Sequence, residues 1–231
     1  MSDILGFLNA SEPVPAFVVL FLLWIVAQFV RWRKKDNKWK LAAEKLGFTA
    51  KLMVSAEERD AVLSGSWLLR RQILNRTAYR LMSGTQGGLR VAALTHVTST
   101  GGKGSSGQRE TVACIFLPAG TLPVFAIRHR GFGSGIGLLL SDDQEVQVDQ
   151  PPGFCNDHII TGNDEDLLRK LLTPEWLSIF VNQSALHVES NGGRLLIYWP
   201  GTILDAVDTV QLIDKGIRLV TAMQKTMIDC M

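Results

Sequence analysis

This 231-residue chain holds only two tyrosines and three cysteines, and its first 30 residues contain no lysine or arginine. Cys114, Cys155 and Cys230 are odd in number and far apart. They leave no disulfide framework and no C-x-x-C knuckle, and they suit a reducing compartment. The aromatics are not interleaved with the basic residues and no recognition motif accompanies them, so nucleic acid is not an expected partner. His96, His129, His158 and His187 stand about thirty residues apart, without the close pairing of a helical or knuckle metal site. The sequence therefore names no metal and no cofactor.

Motifs for catalysis are missing too. There is no G-x-S-x-G elbow, and Cys114 falls in an apolar strand where a thiolate is disfavoured. Asp157 and His158 are neighbours in sequence only. In "GGKGSSG", residues 101–107, Gly104 follows Lys103 where a phosphate loop needs Ser or Thr opening a helix, so a hairpin loop is expected. In "GFGSGIGLLL", residues 131–140, the glycines miss the first, third and sixth spacing of a dinucleotide fingerprint. Arg128, His129 and Arg130, with the backbone at Gly133 and Gly135, remain as an anion-binding candidate. No catalytic residue is assigned, and the chain is expected not to be an enzyme.

What is present is one apolar run. "PVPAFVVLFLLWIVAQFVRWRKK", residues 13–35, has no formal charge before Arg31. Its 19 residues from Val14 to Trp32 make roughly 28 Å of helix, close to the ~30 Å of a bilayer core. Ser11 can cap it, Pro13 and Pro15 suit its first turn, and Trp32 falls at headgroup level. A cleaved signal peptide has a positive start and a small-residue cleavage site, whereas here Asp3 and Glu12 precede the run and basic residues follow it. A buried core helix of a soluble protein is the competing reading. The expectation is a short extracytoplasmic N-terminus over 1–12, a transmembrane helix over 13–32, a basic juxtamembrane helix over 33–47 and a cytoplasmic α+β domain over 48–231. The positive-inside rule sets that orientation at an inner membrane, with Arg33, Lys34, Lys35, Lys38 and Lys40 lying on an anionic lipid surface.

Charge is divided along the chain. Residues 31–130 hold 18 Lys/Arg against 6 Asp/Glu, and residues 131–231 hold 6 against 14. Two readings stand open: a basic segment facing lipid, or two halves facing each other in one fold.

Along the domain, Trp39, Ala42, Ala43 and Leu46 share a helical face that stops at Gly47, and Ser55 with Glu58 forms a capping box. "FTAKLMVS", "YRLMSG", "LRVAALTHVTS", "RETVACIFLP", "PVFAIRHR", "EVQVD" and "CNDHIITG" read as strands, with turns at "GTQGG" and "GGKGSSG". "NDEDLLRKLLTPEWLSIFVNQ" reads as a helix kinked or split by Pro174. "ALHVESNGGRLLIYWPG" is a hairpin turning at Asn191-Gly192. A last helix over about Ile203 to Met227 has the stripe Ile203, Ala206, Val207, Val210, Ile213, Ile217, Val220 and Met227. The expected class is α+β: a mixed, mainly antiparallel sheet domain with a long C-terminal helix, behind one N-terminal transmembrane helix.

On the apolar run, Phe17, Phe21, Trp24, Gln28 and Arg31 share one face. An amide in lipid favours a partner helix, and no small-xxx-small motif supports self-pairing, so a different integral protein is the expected neighbour. "GQRETVACIFLPAGTLPVFAIRHRG", "KWKLAAEKLGF" and "HIITGNDEDLLRKLL" together resemble uncharacterised bacterial single-pass membrane proteins with a cytoplasmic α+β domain. Arg109 to Ala113 before Leu122 to Phe125 carry that likeness, with Glu110 where the group has Gln. The resemblance implies bacterial origin and no catalytic residue. The expected function is a non-catalytic accessory or scaffolding subunit of a larger integral-membrane complex, bioenergetic complexes being one natural home. The alternative is a tethered module for anionic lipid headgroups or small anions.

Overall fold

The structure is a computed structural model, and it describes residues 16–66, 75–99, 108–130, 144–148, 154–180, 183 and 185–229. The chain divides into two units, Met1–Lys38 and Trp39–Met231.

Helix α1 runs unbroken over Ala16–Lys45, so the apolar run and the juxtamembrane helix form one element. It ends at Gly47, whose φ of +68° is a backbone state open to glycine. Its last turns belong to the second unit, where Trp39 and Ala43 are fully buried, as their helical spacing predicts. Among the described residues no helix is long and apolar enough to cross a membrane. The uncharged part of α1, Ala16 to Val30, is 15 residues, roughly 22 Å of helix. Ser11, Pro13 and Pro15 lie outside the described residues.

The second unit is α+β. Strands β1 (Thr49–Met53), β2 (Asn75–Gln86), β3 (Leu89–Ser99), β4 (Gln108–Phe116), β5 (Val124–His129), β6 (Gln144–Glu145), β7 (His158–Gly162), β8 (His187–Asn191) and β9 (Arg194–Tyr198) make one sheet. Its order is β1-β2-β3-β4-β9-β8-β5-β7-β6, and every described pairing is antiparallel. The β8–β9 hairpin is inserted between β4 and β5, which places the basic and acidic halves of the sequence in a single sheet. The sheet ends in short strands, five residues in β1 and two in β6.

Helix α2 (Ala56–Leu63) starts with the expected capping box: Glu58 N–H donates to Ser55 Oγ and Ser55 N–H to Glu58 Oε2. A helical turn α3 (Phe154–Asp157) precedes β7. Pro174 splits the next predicted helix into α4 (Glu165–Leu171) and α5 (Pro174–Leu177), followed by a 3₁₀ turn over Ser178–Phe180. Helix α6 (Ala206–Asp229) closes the domain, with Asp205 Oδ1 accepting from the N–H groups of Val207 and Asp208.

Two details differ from the sequence expectations. The β8–β9 loop is Gly192-Gly193, because Asn191 Oδ1 accepts from Gly193 N–H and its amide reaches the carbonyl of Ser64. Only Gly192 has positive φ there, the pattern of a type II′ turn. The buried stripe of α6 is Ala206, Thr209, Leu212, Ile213, Gly216, Leu219, Val220 and Met223, while Val207 is 63% exposed and Ile203 precedes the helix. Gly216 sets that rotation by lying against Ile115 and Ile197.

The α6 face of the sheet carries the main core, built on Ala113, Ile115, Ile127, Val188 and Ile197 with α4, α5 and α6 above. Trp176 joins these layers: it is 2% exposed, and its indole N–H donates to the carbonyl of Leu219 at 3.2 Å. The opposite face holds a smaller cluster, Leu81, Leu94, Val112, Cys114, Leu196 and Tyr198 under Val62 and Leu63 of α2.

Candidate functional site

On α1, each residue of the proposed partner face is exposed, with Phe17 at 70%, Phe21 at 56% and Trp24 at 58%. Phe21 and Trp24 stack with centroids 6.1 Å apart. Gln28 and Arg31 are also exposed, and Arg33 lies over the Phe29 ring at 5.1 Å. Leu20, Leu22, Leu23, Ile25 and Val26 are exposed around the rest of the helix, so its apolar surface is not confined to one stripe. The basic residues Arg33, Lys34, Lys35, Lys38 and Lys40 are exposed as well.

The anion-binding candidate is dispersed by the strand. Arg130 donates to Glu145 Oε1 at 2.8 Å and to the carbonyl of Cys155 at 3.1 Å, so its guanidinium serves as a brace between β5 and β6. The backbone N–H of His129 donates to His187 Nε2 at 3.3 Å, and the His129 ring meets that of His158 edge-on. Arg128 points instead toward the face of Tyr198, whose ionisation it favours through its charge. Gly133 and Gly135 lie outside the described residues, as does the "GGKGSSG" loop.

A buried polar layer, unseen in the sequence, lies on the α2 face of the sheet. Alternation places Glu110, His96, Tyr198, His187 and Glu189 on that face, with His96 opposite Glu110 and His187 opposite Tyr198. His96 and Glu110 are both fully buried, with Nδ1 and Oε1 3.8 Å apart. Glu110 Oε2 accepts from Gly201 N–H at 3.3 Å, while Glu110 Oε1 and both His96 ring nitrogens make no hydrogen bond among the described residues. Tyr198 donates to Glu189 Oε1 at 2.6 Å. Burial, then the charge and hydrogen bond of Glu189, hold the Tyr198 hydroxyl well above its ordinary range. Beside Arg128 and Glu189 there is only about 30 Å³ of room, too little for a substrate.

Cys114 sits on the same face, and burial pushes its thiol up to about 12, against the pull of Arg194 and Arg90. A thiol raised in the folded state contributes fully below the ordinary thiol range, and that contribution is lost as pH rises from about 9 toward about 12. A maleimide at mildly alkaline pH is expected to modify half-buried Cys155 in the native protein. Cys114 is expected to react only along the global unfolding curve. Peptide mapping across a denaturant series checks this, and rapid native labelling of Cys114 would show that the α2 face opens.

An open groove of about 900 Å³ with both apolar and charged lining runs along α6. Such a size falls in the roughly 300–1,000 Å³ range of ligand sites. One wall is Asp208, Gln211, Lys215 and Arg218, recurring along a helical face; the other brings Ile179, Gln183, Trp199 and Leu204. Lys215 Nζ donates to Gln183 Oε1 and lies 5.1 Å from the Trp199 ring centre. Burial, with the charge of Arg218 beside it, lowers the Lys215 ammonium below its ordinary range. Asp214 also lines the groove, and its Oδ1 accepts from Gln86 at 2.6 Å. The signal for this site was available as polar residues at 208, 211, 215 and 218 on an otherwise apolar-striped helix. Among the described residues, no three His, Cys, Asp or Glu side chains converge as metal ligands would.

No protein-family model matches the chain, and no curated protein matches it. Among solved structures, the fold is similar to the crystal structure of the mycobacterial trehalose monomycolate transport factor A, TtfA. The likeness has a TM-score of 0.56 and 14% sequence identity, over 84% of this chain and 94% of that one. At that identity it shows a shared fold alone.

Proposed function

We propose that this chain is a non-catalytic, membrane-anchored accessory subunit of a larger integral-membrane assembly, docked by α1 with its α+β domain on the cytoplasmic side. One observation carries the reading: from Phe17 to Val30, α1 exposes large apolar side chains around its circumference with Gln28 as the single strongly polar residue. A helix apolar all round is stable inside lipid or protein and not in water. The proposed span includes Pro13 to Pro15 ahead of the described helix and Trp32 behind it, with Arg31 and Arg33 reaching up to the headgroups. The basic flank sets the domain on the inner side. TtfA is described as a transport factor, and the shared fold makes transport assemblies the first class of partner to test.

The test is purification of the full-length chain from native membranes in mild detergent. A stoichiometric integral-membrane partner is expected to travel with it. Trp24→Ala with Gln28→Leu is expected to release that partner while the thermal melt of the domain stays unchanged, since neither residue is part of the domain core. Full-length chain in the aqueous extract, a tag after Lys40 exposed outside intact cells, or unchanged co-purification of the double variant would each overturn the reading. The second reading, a tethered module for anionic headgroups, is favoured by the exposed basic residues from Arg33 to Lys40 and predicts salt-sensitive binding to anionic vesicles without a protein partner.

A further inference from the structure

We infer that the groove along α6 is a binding site for an anionic amphiphile: a phosphate or carboxylate head carried on an apolar body. The inference does not depend on how α1 is used, because every lining residue belongs to the second unit.

Lys215 and Arg218 lie one turn apart on the groove wall, and among the described residues neither has a carboxylate partner within ion-pair range. The Lys215 ammonium is instead held by a neutral amide oxygen, that of Gln183, and by the face of Trp199. Both contacts fix a cation in place without neutralising it. Lys215 is half-buried, so an incoming anion would meet it in surroundings less watery than the surface, where charge-assisted hydrogen bonds gain strength.

The groove also holds two acids. The Gln86 amide donates to Asp214 Oδ1, which orients that carboxylate and leaves its charge in place. Asp208 is exposed and stands seven residues toward the N-terminus of Lys215, about 10 Å along the helix. Arg218 is the lining cation farthest along α6 from Asp208, so the anionic head is placed at the Lys215 and Arg218 end and excluded from the Asp208 end.

The rest of the lining selects the body. Ile179, Leu204 and the indole of Trp199 face the groove together, all partly buried and packed against the main core. A bare anion would leave this apolar wall unused, and its volume is far more than an inorganic ion fills. An acyl chain or comparable apolar body satisfies it.

The experiment uses the full-length chain in neutral detergent with a diazirine-bearing fatty acid, irradiation and peptide mapping. The expected result is labelling within Ser178–Gln183 and Thr202–Arg218. Lys215→Met with Arg218→Gln is expected to reduce it about tenfold or more, the loss of one or two charge-assisted hydrogen bonds. Arg218 is exposed, so Arg218→Gln alone reports on the site even if the Lys215 change perturbs packing. A short-chain phosphatidylglycerol should compete, and the matching phosphatidylcholine should not. Four outcomes overturn the inference: labelling mapped elsewhere, equal labelling by a neutral diazirine alcohol, labelling indifferent to both variants, or displacement by inorganic phosphate as effective as by the anionic lipid. The last would make the groove a small-anion site. Loss of the membrane partner in the Trp24 and Gln28 variant leaves this labelling unchanged, which separates the two proposals.

Discussion

Gly216→Leu is expected to cost the domain about 4 kcal/mol or more, the range reserved for core overpacking at its most severe. A Cβ at Gly216 would lie 2.3 Å from Ile115 Cδ1, 3.3 Å from Ile115 Cγ1 and 3.4 Å from Ile197 Cγ2. Ile115 and Ile197 are both fully buried in β4 and β9, the pair of strands that joins the two halves of the sheet. The tip of Ile115 can give way to a Cβ, but a leucine brings three more carbons beyond Cβ to the same place, which Ile115 cannot clear without displacing the core around it. Helix α6 would have to lift or rotate, breaking the Trp176 hydrogen bond to Leu219 at the same time. Gly216→Ala is the informative control. It regains roughly 1 kcal/mol of helix propensity while forcing only the tip of Ile115 to move, so its net effect is expected within about 1 kcal/mol of zero. Chemical denaturation of the two variants checks this. A leucine variant of wild-type stability would mean that α6 does not lie this close to the sheet.

Removing one member of the buried His96–Glu110 contact is expected to cost about 1–3 kcal/mol, the penalty of leaving a buried polar group without its neighbour, while replacing both is expected to be nearly neutral or stabilising. His96→Leu leaves the Glu110 carboxylate with one weak partner, Gly201 N–H at 3.3 Å, in a fully buried site. Glu110→Leu leaves the Gly201 N–H without its acceptor and removes the carboxylate 3.8 Å from His96 Nδ1. In the double variant the apolar side chains extend the cluster of Leu94 and Val112 already on this face, and only the Gly201 N–H remains to be satisfied. A double-mutant cycle in denaturant measures the coupling. Additive single and double effects would show that the pair does not interact.

The sequence reading of the sheet succeeded where structure is local. Gly87-Gly88 between alternating apolar runs makes the β2–β3 hairpin, and Ser55 with Glu58, the break at Pro174 and the Trp39–Ala43 face all behave as their chemistry dictates. What was hidden is non-local. Nothing near Val112 or Tyr198 in sequence shows that β4 and β9 pair across about 80 residues of chain, so the sequence carries no sign that Glu110, His96 and Glu189 share one buried layer. Their burial follows from the sheet being covered on both faces. The stripe on α6 is legible in part: Ala206, Ile213 and Val220 are buried and Ile217 and Met227 pack against the core, while Val207 faces out and Leu212, Gly216 and Leu219 take its place. Hydrophobic periodicity admits several rotations of so apolar a helix, and the deciding residue is a glycine, which carries no hydropathic signal. The second wall of the α6 groove was hidden because Gln183, just after the 3₁₀ turn that holds Ile179, meets Lys215 across 32 positions of chain.

Among the described residues one side of the sheet finishes in β1, a five-residue strand that offers a neighbour little to zip onto. Lys51 sits midway along it, tied to Glu58, so its ammonium marks the rim with charge. Main-chain pairing between copies along this rim is therefore disfavoured.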